Sequence, residues 1–239
     1  MLRCLAAVSM AAVIGLIPQR LAAGEVIRLT TQDWPPYQMI TGDKVDGVAV
    51  RVVRCVLDRL GIEPQFTVLP WLQAQQAVRE ARADGFFGAT RDAERDTYAV
   101  LSVPIVPETR RWYWRSDHVV DVTDKALPVA VQAGTVMYRW LLGEGYTNLQ
   151  AAPTTDDLTR LLETGKVDAV FANQLVFDWN VAIAGIPVTA FASATESEHG
   201  IGVYFSKSYL AHHPAFLERF NAEATDCRMR AHLSPDPGP

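Results

Sequence analysis

The sequence predicts an α/β protein built as two similar lobes. From Val26 onward, apolar strands alternate with helical segments, which is the order of βαβ units that form parallel sheets. A second alternation of the same kind starts near residue 127, and its segment KVDAVFANQ (166–174) resembles RADGFFGAT (82–90) in the first. The chain has 239 residues, which is long enough to form the cores of two small lobes. Its composition, 49% apolar and 21% charged, is typical of a globular protein.

The first lobe is predicted from a strand–helix–strand–helix–strand order. The first helix is indicated by a helical spacing of apolar residues, which Gly61 ends: Val48, Val52, Cys55, Val56 and Leu60. The predicted segments are VIRLTTQ (26–32), GVAVRVVRCVLDRLG (47–61), QFTVLP (65–70), WLQAQQAVREARA (71–83) and DGFFGAT (84–90).

The second lobe is predicted from LPVAVQAG (127–134) as a strand, followed by a helix that opens at Thr135. A second helix, TTDDLTRLLETGK (154–166), is capped by Thr154 or Thr155, and VDAVFAN (167–173) is the next strand. The segment 203–227 returns to the first lobe and finishes as a helix. We therefore predict lobe I as 24–115 plus 203–239 and lobe II as 116–202, joined by two crossings that act as a hinge.

The first 23 residues have the layout of a secretory signal peptide. Arg3 precedes an apolar stretch from Cys4 to Ile17, and the small residues Ala22 and Ala23 favour cleavage after Ala23. A membrane anchor is the competing interpretation, but about 14 apolar residues fall short of the roughly 20 that a span needs. The sequence predicts an exported, periplasmic protein.

The charge of the chain argues against nucleic acid as a partner. The full sequence has 22 basic and 27 acidic residues, and removing 1–23 takes away Arg3 and Arg20 and no acid, which leaves 20 basic residues and a formal charge of −7. No lysine-rich run or basic patch occurs in the sequence.

Two cysteines, Cys55 and Cys227, remain after the predicted cleavage. An even pair in an oxidising compartment favours a disulfide, which would tie an early helix to the C-terminal helix; two buried thiols are the alternative.

Aromatic, hydroxyl and cationic side chains follow the ends of several predicted strands. Ligands of open α/β sheets bind outside the carboxyl ends of the strands, so we expect a binding site there. Each residue alone has a commoner structural role, such as core packing for a tryptophan, a surface salt bridge for an arginine or a helix cap for an asparagine. Together they form the predicted ligand-binding set: Trp34, Tyr37, Trp71, Gly88, Thr90, Arg95, Gly134, Thr135 and Asn173.

Trp112 and Trp114 lie near the predicted first crossing. Alternate residues of a strand share one face, so we expect this pair to pack in the core and not to line the site.

From Val26 to Phe220 the chain resembles the family 3 extracellular solute-binding proteins, which serve ABC importers of polar amino acids. The similarity is carried by WPPY (34–37), DGVAVRVVRCVLDRLG (46–61), LPWLQAQQAVREARADGFF (69–87), TRDAERDTYAVLSVPI (90–105), VAVQAGTVMYRWL (129–141) and TGKVDAVFANQ (164–174). The resemblance implies the type II periplasmic-binding-protein fold. Each lobe would be a mainly parallel sheet flanked by helices, and the hinge would close the two lobes on a small ligand.

The resemblance also implies roles for individual residues. Arg95 matches the arginine that clamps the ligand's carboxylate, and Thr90 matches the hydroxyl beside it. Trp34 and Trp71 match the aromatics that enclose the ligand, and the helix start at Gly134 and Thr135 also meets the carboxylate. A guanidinium fork and a helix N-terminus both suit an anion.

The chain departs from the family pattern at Asn173, where amino-acid binders present an acid to the ligand's ammonium group. An amide does not neutralise an enclosed ammonium. A carboxylate without an α-amine is therefore as well suited as an amino acid, unless Asp33, Glu196 or Glu198 replaces the missing acid.

The predicted function is a monomeric receptor that closes on a carboxylate-bearing small molecule and delivers it to an ABC permease or another membrane partner. The sequence predicts no catalytic residues, no metal site and no cofactor. One alternative is a soluble sensor of the same fold. A periplasmic dehydratase-type enzyme is less well supported, because Asn173 cannot supply the titrating proton donor that such chemistry needs.

Overall fold

A computed structural model describes residues 25–42 and 44–233; the predicted signal peptide lies outside the described residues. Its elements follow the predicted strand–helix alternation. In chain order they are β1 Glu25–Thr31, β2 Met39–Thr41, β3 Lys44–Asp46, α1 Val48–Leu60, β4 Ile62–Val68, α2 Trp71–Arg79, β5 Gly85–Ala89, β6 Ala99–Leu101, β7 Val106–Arg115, β8 Val129–Gln132, α3 Val136–Gly143, β9 Leu149–Ala152, α4 Thr155–Glu163, β10 Ala169–Asn173, α5 Gln174–Ile183, β11 Phe191–Ser206, α6 Lys207–His212 and α7 Phe216–Leu233.

Nine strands of the described chain are linked by hydrogen bonds in the order β4-β1-β5-β11-β7-β10-β8-β9, with β6 also beside β11. The strands β4, β1 and β5 are parallel and form the basis of the first lobe. The strands β9, β8 and β10 are parallel and form the basis of the second. This arrangement confirms the predicted fold class of two mainly parallel sheets flanked by helices.

The two long antiparallel strands β7 and β11 join the lobes. Residues 191–201 of β11 pair with β7, whereas residues 202–206 pair with β5 and β6 of the first lobe. The register of β11 shifts at two places: against β7 between Thr195 and Ser197, and against β5 between Gly202 and Val203. The predicted lobe boundaries, 24–115 with 203–239 and 116–202, stay a prediction.

Local sequence explains where the helices begin and end. The Thr135 hydroxyl accepts the backbone N–H of Tyr138, and the Thr154 hydroxyl accepts that of Asp157, so threonines cap α3 and α4. Gly61 ends α1 in the left-handed conformation, with φ of 71°. The helix α2 ends at Arg79, four residues before the predicted Ala83, because the chain turns there and Ala81 adopts φ of 57°.

The helix α7 returns to the first lobe and packs against α1. Cys55 of α1 and Cys227 of α7 form a disulfide with a Cα–Cα distance of 5.8 Å, so the predicted bridge is confirmed. Trp112 is buried and stacks on Phe171 at 4.7 Å, and Trp114 packs against the same cluster, as predicted. No helix in residues 25–42 and 44–233 is both long and apolar enough to cross a membrane.

Candidate functional site

A narrow cleft with an accessible volume of about 30 Å³ lies between the two lobes, at the carboxyl ends of β1, β5 and β8. We call it the cleft. Six of the nine residues predicted from the sequence line it: Trp34, Trp71, Gly88, Thr90, Arg95 and Thr135. Tyr37, Gly134 and Asn173 lie beside it, each in contact with a residue of the cleft wall.

Arg95 is the most deeply buried cation of the cleft, with 2% of its surface exposed. Its Nε donates to Gln75 Oε1 at 2.9 Å, its Nη1 to the Thr90 carbonyl at 3.1 Å and its Nη2 to the Gly134 carbonyl at 3.3 Å. All three acceptors are neutral. Burial lowers the pKa of Arg95 to about 10, so the side chain still carries its charge at neutral pH.

Asp92 fixes the turn from which Arg95 projects. Its Oδ1 accepts the backbone N–H groups of Glu94 and Arg95, both at 3.1 Å, at the start of the 3-10 turn Arg95–Thr97. Its Oδ2 accepts Nε of Arg139 at 2.8 Å and Nη2 at 2.5 Å. Since Arg139 belongs to α3, the carboxylate that positions Arg95 also joins the two lobes.

The aromatic side chains form the apolar walls of the cleft. Trp34 stacks on Tyr37 with ring centroids 5.0 Å apart, and the Arg95 guanidinium lies 5.1 Å from the Trp71 ring. Trp34 and Trp71 are both buried, and neither indole N–H has a hydrogen-bond partner among the described residues. The tryptophans therefore bring two unused donors to the cleft in addition to apolar surface.

Two charged residues of the cleft were missed from the sequence, Glu108 and Arg110 of β7. Both are about 95% buried, and Arg110 Nη2 lies 3.3 Å from Glu108 Oε2. Arg110 Nη2 also donates to the Thr90 hydroxyl at 3.0 Å, so Thr90 touches both guanidinium groups of the cleft. The signal that could have found this pair is the strand alternation from Trp112, which places Arg110 and Glu108 on the same buried face.

Asn173 caps α5 and faces the missed acid. Its Oδ1 accepts the Val176 N–H at 3.1 Å, and its Nδ2 lies 3.4 Å from the Tyr37 hydroxyl and 3.5 Å from Glu108 Oε1. Burial, together with the charge of Glu108, raises the pKa of Tyr37 to about 12 despite the contact with Asn173. The buried acid near Asn173 is therefore Glu108, whereas the three acids considered from the sequence, Asp33, Glu196 and Glu198, are exposed.

The lobes touch across the cleft through polar and apolar contacts. Gln132 Nε2 donates to Gln32 Oε1 at 2.8 Å, and both side chains are buried and line the cleft. Leu72 of α2 lies so close to Gly134 that a Cβ at position 134 would come within 2.3 Å of Leu72 Cδ2. A side chain at position 134 would therefore displace the exposed Leu72 side chain, and φ of 70° favours glycine.

Hydrogen-bond donors outnumber acceptors in this cleft. It contains two guanidinium groups, of which that of Arg110 has an unpartnered Nε–H, and two unpartnered indole N–H groups, against one carboxylate. A small molecule rich in acceptor oxygens, such as a carboxylate, complements this arrangement. Among residues 25–42 and 44–233, no group of three or more His, Cys, Asp or Glu side chains is placed to hold a metal ion.

The model of the bacterial extracellular solute-binding proteins, family 3, matches residues 26–158, more than half of the chain. The chain belongs to this family. The matched part of this solute-binding protein covers Trp34, Arg95 and the start of α3, and ends before β10. No curated relative matches the sequence.

Solved structures share the fold of this solute-binding protein at low sequence identity. A histidine kinase sensor domain with similarity to periplasmic binding proteins has a TM-score of 0.77 at 20% identity, covering 87% of this chain and 92% of that one. The substrate-binding protein of an amino acid ABC transporter has a TM-score of 0.70 at 18% identity, covering 86% and 94%. The GluR0 ligand-binding core from Nostoc punctiforme, in complex with L-glutamate, has a TM-score of 0.71 at 16% identity, covering 85% and 93%.

Proposed function

We propose that this protein is a periplasmic, monomeric solute-binding receptor whose lobes close on a small carboxylate-bearing ligand and that delivers the ligand to an ABC importer. The observation that carries the proposal is Arg95, a buried charged side chain whose hydrogen-bond partners are all neutral. A buried cation is costly unless an anion pairs with it, and a ligand carboxylate in the cleft would be that anion.

The position of Arg95 also couples binding to closure. The residue belongs to the first lobe, and its Nη2 reaches the Gly134 carbonyl next to the N-terminus of α3 in the second. A carboxylate on Arg95 would lie near the first N–H groups of α3, where a helix favours negative charge. We therefore assign the carboxylate site to Thr90, Arg95, Gly134 and Thr135, with Trp34 and Trp71 enclosing the rest of the ligand.

A soluble sensor is the second candidate. It is favoured by the similarity to a histidine kinase sensor domain, which the chain matches over 87% of its length. Importer and sensor would share the same ligand site and differ in the membrane partner that meets the closed form. Because all proposed roles are binding roles, we propose no catalytic residue and no cofactor.

A thermal-shift screen of residues 24–239 against amino acids, organic acids, amines and neutral solutes tests the receptor proposal. A ligand at about 100 times its Kd adds roughly 2.7 kcal/mol to the free energy of unfolding, which raises Tm measurably. We expect carboxylates to raise Tm and to lose this effect in Arg95→Ala. Stabilisation by amines or neutral solutes only, or carboxylate binding that survives in the variant, would contradict the proposal.

Co-purification with solubilised membrane partners separates the two candidates. In the presence of the ligand found by the screen, an importer component should retain a permease, whereas a sensor should retain a signalling protein. Arg95→Ala, which is expected not to close on the ligand, serves as the control in both cases.

A further inference from the structure

A larger groove opens on the far side of Thr90 and Arg110. It has an accessible volume of about 530 Å³ and shares three wall residues, Thr90, Arg110 and Val136, with the cleft. We call it the side groove. The two spaces are therefore adjacent, and Thr90 and Arg110 lie between them.

Arg110 lines both spaces and has unused hydrogen-bonding capacity. Its side chain is 6% exposed, and its Nη2 is engaged by the Thr90 hydroxyl and by Glu108. Its Nε–H is buried and has no partner among the described residues. A guanidinium has five N–H donors, so most of those of Arg110 remain available to a second acceptor group.

The charges of the two spaces favour a negatively charged ligand. The cleft has Arg95, Arg110 and Glu108, and the side groove adds Arg91 and His199 but no acidic side chain to the lining. Arg91 is exposed and lies 3.0 Å from Asp96, which balances its charge from outside the groove lining. Arg95 and Arg110 against Glu108 leave one positive charge in excess for a first carboxylate, and the unpartnered Nε–H of Arg110 is a donor for a second.

We propose that the ligand is a dicarboxylate: one carboxylate binds Arg95 in the cleft, and the second passes Thr90 and binds Arg110 at the mouth of the side groove. This inference rests on the proposed function, because it assumes that the first carboxylate occupies Arg95. It makes Arg110 the residue that distinguishes dicarboxylates from monocarboxylates of the same length.

Calorimetric titration of the mature protein at pH 7.5 with matched ligand pairs tests the proposal. The pairs are L-glutamate with L-glutamine, glutarate with its monoamide, and adipate with its monoamide; each pair differs by one carboxylate replaced by an amide. We expect the diacid of at least one pair to bind about ten-fold or more tightly than its monoamide, as charge-assisted hydrogen bonds are stronger than neutral ones.

Variants then identify the residue responsible. Arg110→Gln should bring the diacid and the monoamide to within about three-fold of each other by weakening the diacid. The double variant Glu108→Gln/Arg110→Gln should do the same without leaving Glu108 buried and unpaired. Arg111→Gln is the matched control, because it removes a charge from the next residue of β7, which lines neither space, and it should keep the preference.

The outcomes separate this inference from the proposed function. If acids and monoamides bind equally well to the wild type, and both are lost in Arg95→Met, the second carboxylate site is overturned and the receptor proposal stands. A diacid preference that survives in both Arg110 variants also overturns the inference. If no compound of these pairs binds, or binding is independent of Arg95, the carboxylate site fails and the dicarboxylate site fails with it.

Discussion

Arg95 keeps its charge although all three hydrogen-bond acceptors of its side chain are neutral. Burial disfavours the guanidinium and lowers its pKa, and the nearby charge of Asp92 only partly offsets this loss. A residue that weakens the fold unless an anion is present fits a binding role better than a structural one.

The substitution Arg95→Met tests whether Arg95 serves ligand binding at the expense of the stability of the fold. Methionine fills similar space without charge, so we expect the free energy of unfolding without ligand to rise by about 1–2 kcal/mol, because a desolvated cation is replaced by an apolar side chain. We expect the stabilisation by carboxylates to disappear. Urea unfolding with and without ligand measures both effects; a variant that is several kcal/mol less stable would show that Arg95 serves the fold.

At the residue scale, the sequence predicted side chains that follow strand ends and missed those within a strand. Arg95, Thr90 and Thr135 follow strands whose apolar composition marked their ends. Glu108 and Arg110 lie inside β7 and not at its end. Their burial depends on the partner strands β10 and β11, which local sequence does not specify.

At the scale of elements, Leu72 of α2 lies against Gly134, just before α3. The substitution Gly134→Ala adds a methyl group to this contact and imposes φ of 70° on a non-glycine residue, which costs roughly 1–2 kcal/mol. We expect the Kd of the ligand to rise about ten-fold or more, because the methyl group displaces Leu72 and disturbs this contact between the lobes.

The double variant Leu72→Ala/Gly134→Ala separates contact from backbone strain. Removing the Leu72 side chain should restore most of the affinity measured by calorimetry, and Leu72→Ala alone is the control. If the double variant binds as weakly as Gly134→Ala, backbone strain and not the interlobe contact causes the loss.

The ion pair between Asp92 and Arg139 is another contact between elements. We expect its contribution to the stability of the fold to depend on pH. Burial alone would raise the pKa of Asp92, but the hydrogen bonds and charge of Arg139 and the backbone N–H of Arg95 lower it overall. The pKa of Asp92 is lower in the folded protein than in the unfolded chain, where it is about 4. The ionised carboxylate therefore stabilises the folded state above about pH 4, and this stabilisation is lost as the pH falls through the lowered pKa.

The substitution Asp92→Asn should therefore lower the free energy of unfolding at pH 7 by about 1–2 kcal/mol and reduce the loss of stability below pH 4. The matched control is Asp156→Asn, which breaks an exposed pair with Arg160 and should cost only about 0.3–0.5 kcal/mol. Urea titrations of the three proteins at several pH values measure this. Equal effects of the two substitutions would contradict the prediction.

At the scale of the whole molecule, the disulfide joins residues 172 positions apart. Closing so long a loop restricts the unfolded chain, and the entropy model gives an upper value of about 5 kcal/mol. We expect a reducing agent to lower the free energy of unfolding by about 2–5 kcal/mol. The double variant Cys55→Ser/Cys227→Ser should unfold at the lower value with or without the reducing agent. An unchanged unfolding midpoint after complete reduction would contradict this.

The overall fold was predictable because its core segments are short apolar runs separated by capped helices. The strand β11 was not predicted over its full length. Its last residues, from Ile201, are buried, but Phe191–Gly200 are polar and only partly covered. That stretch is held by pairing with β7, so the strand exists because of its partner and not because of its own pattern.

The path of β11 has a consequence for the order in which the chain folds. The strands β8, β9 and β10 lie within 45 consecutive residues, from Val129 to Asn173, and need only local segments and β7 to pair. In contrast, β5 pairs with residues 202–205, and α1 is covered by α7. Residues 90–201 must therefore emerge after β5 before its partner in β11 is present. The part of the chain that is made first is thus completed last, and its apolar faces need protection in the interval.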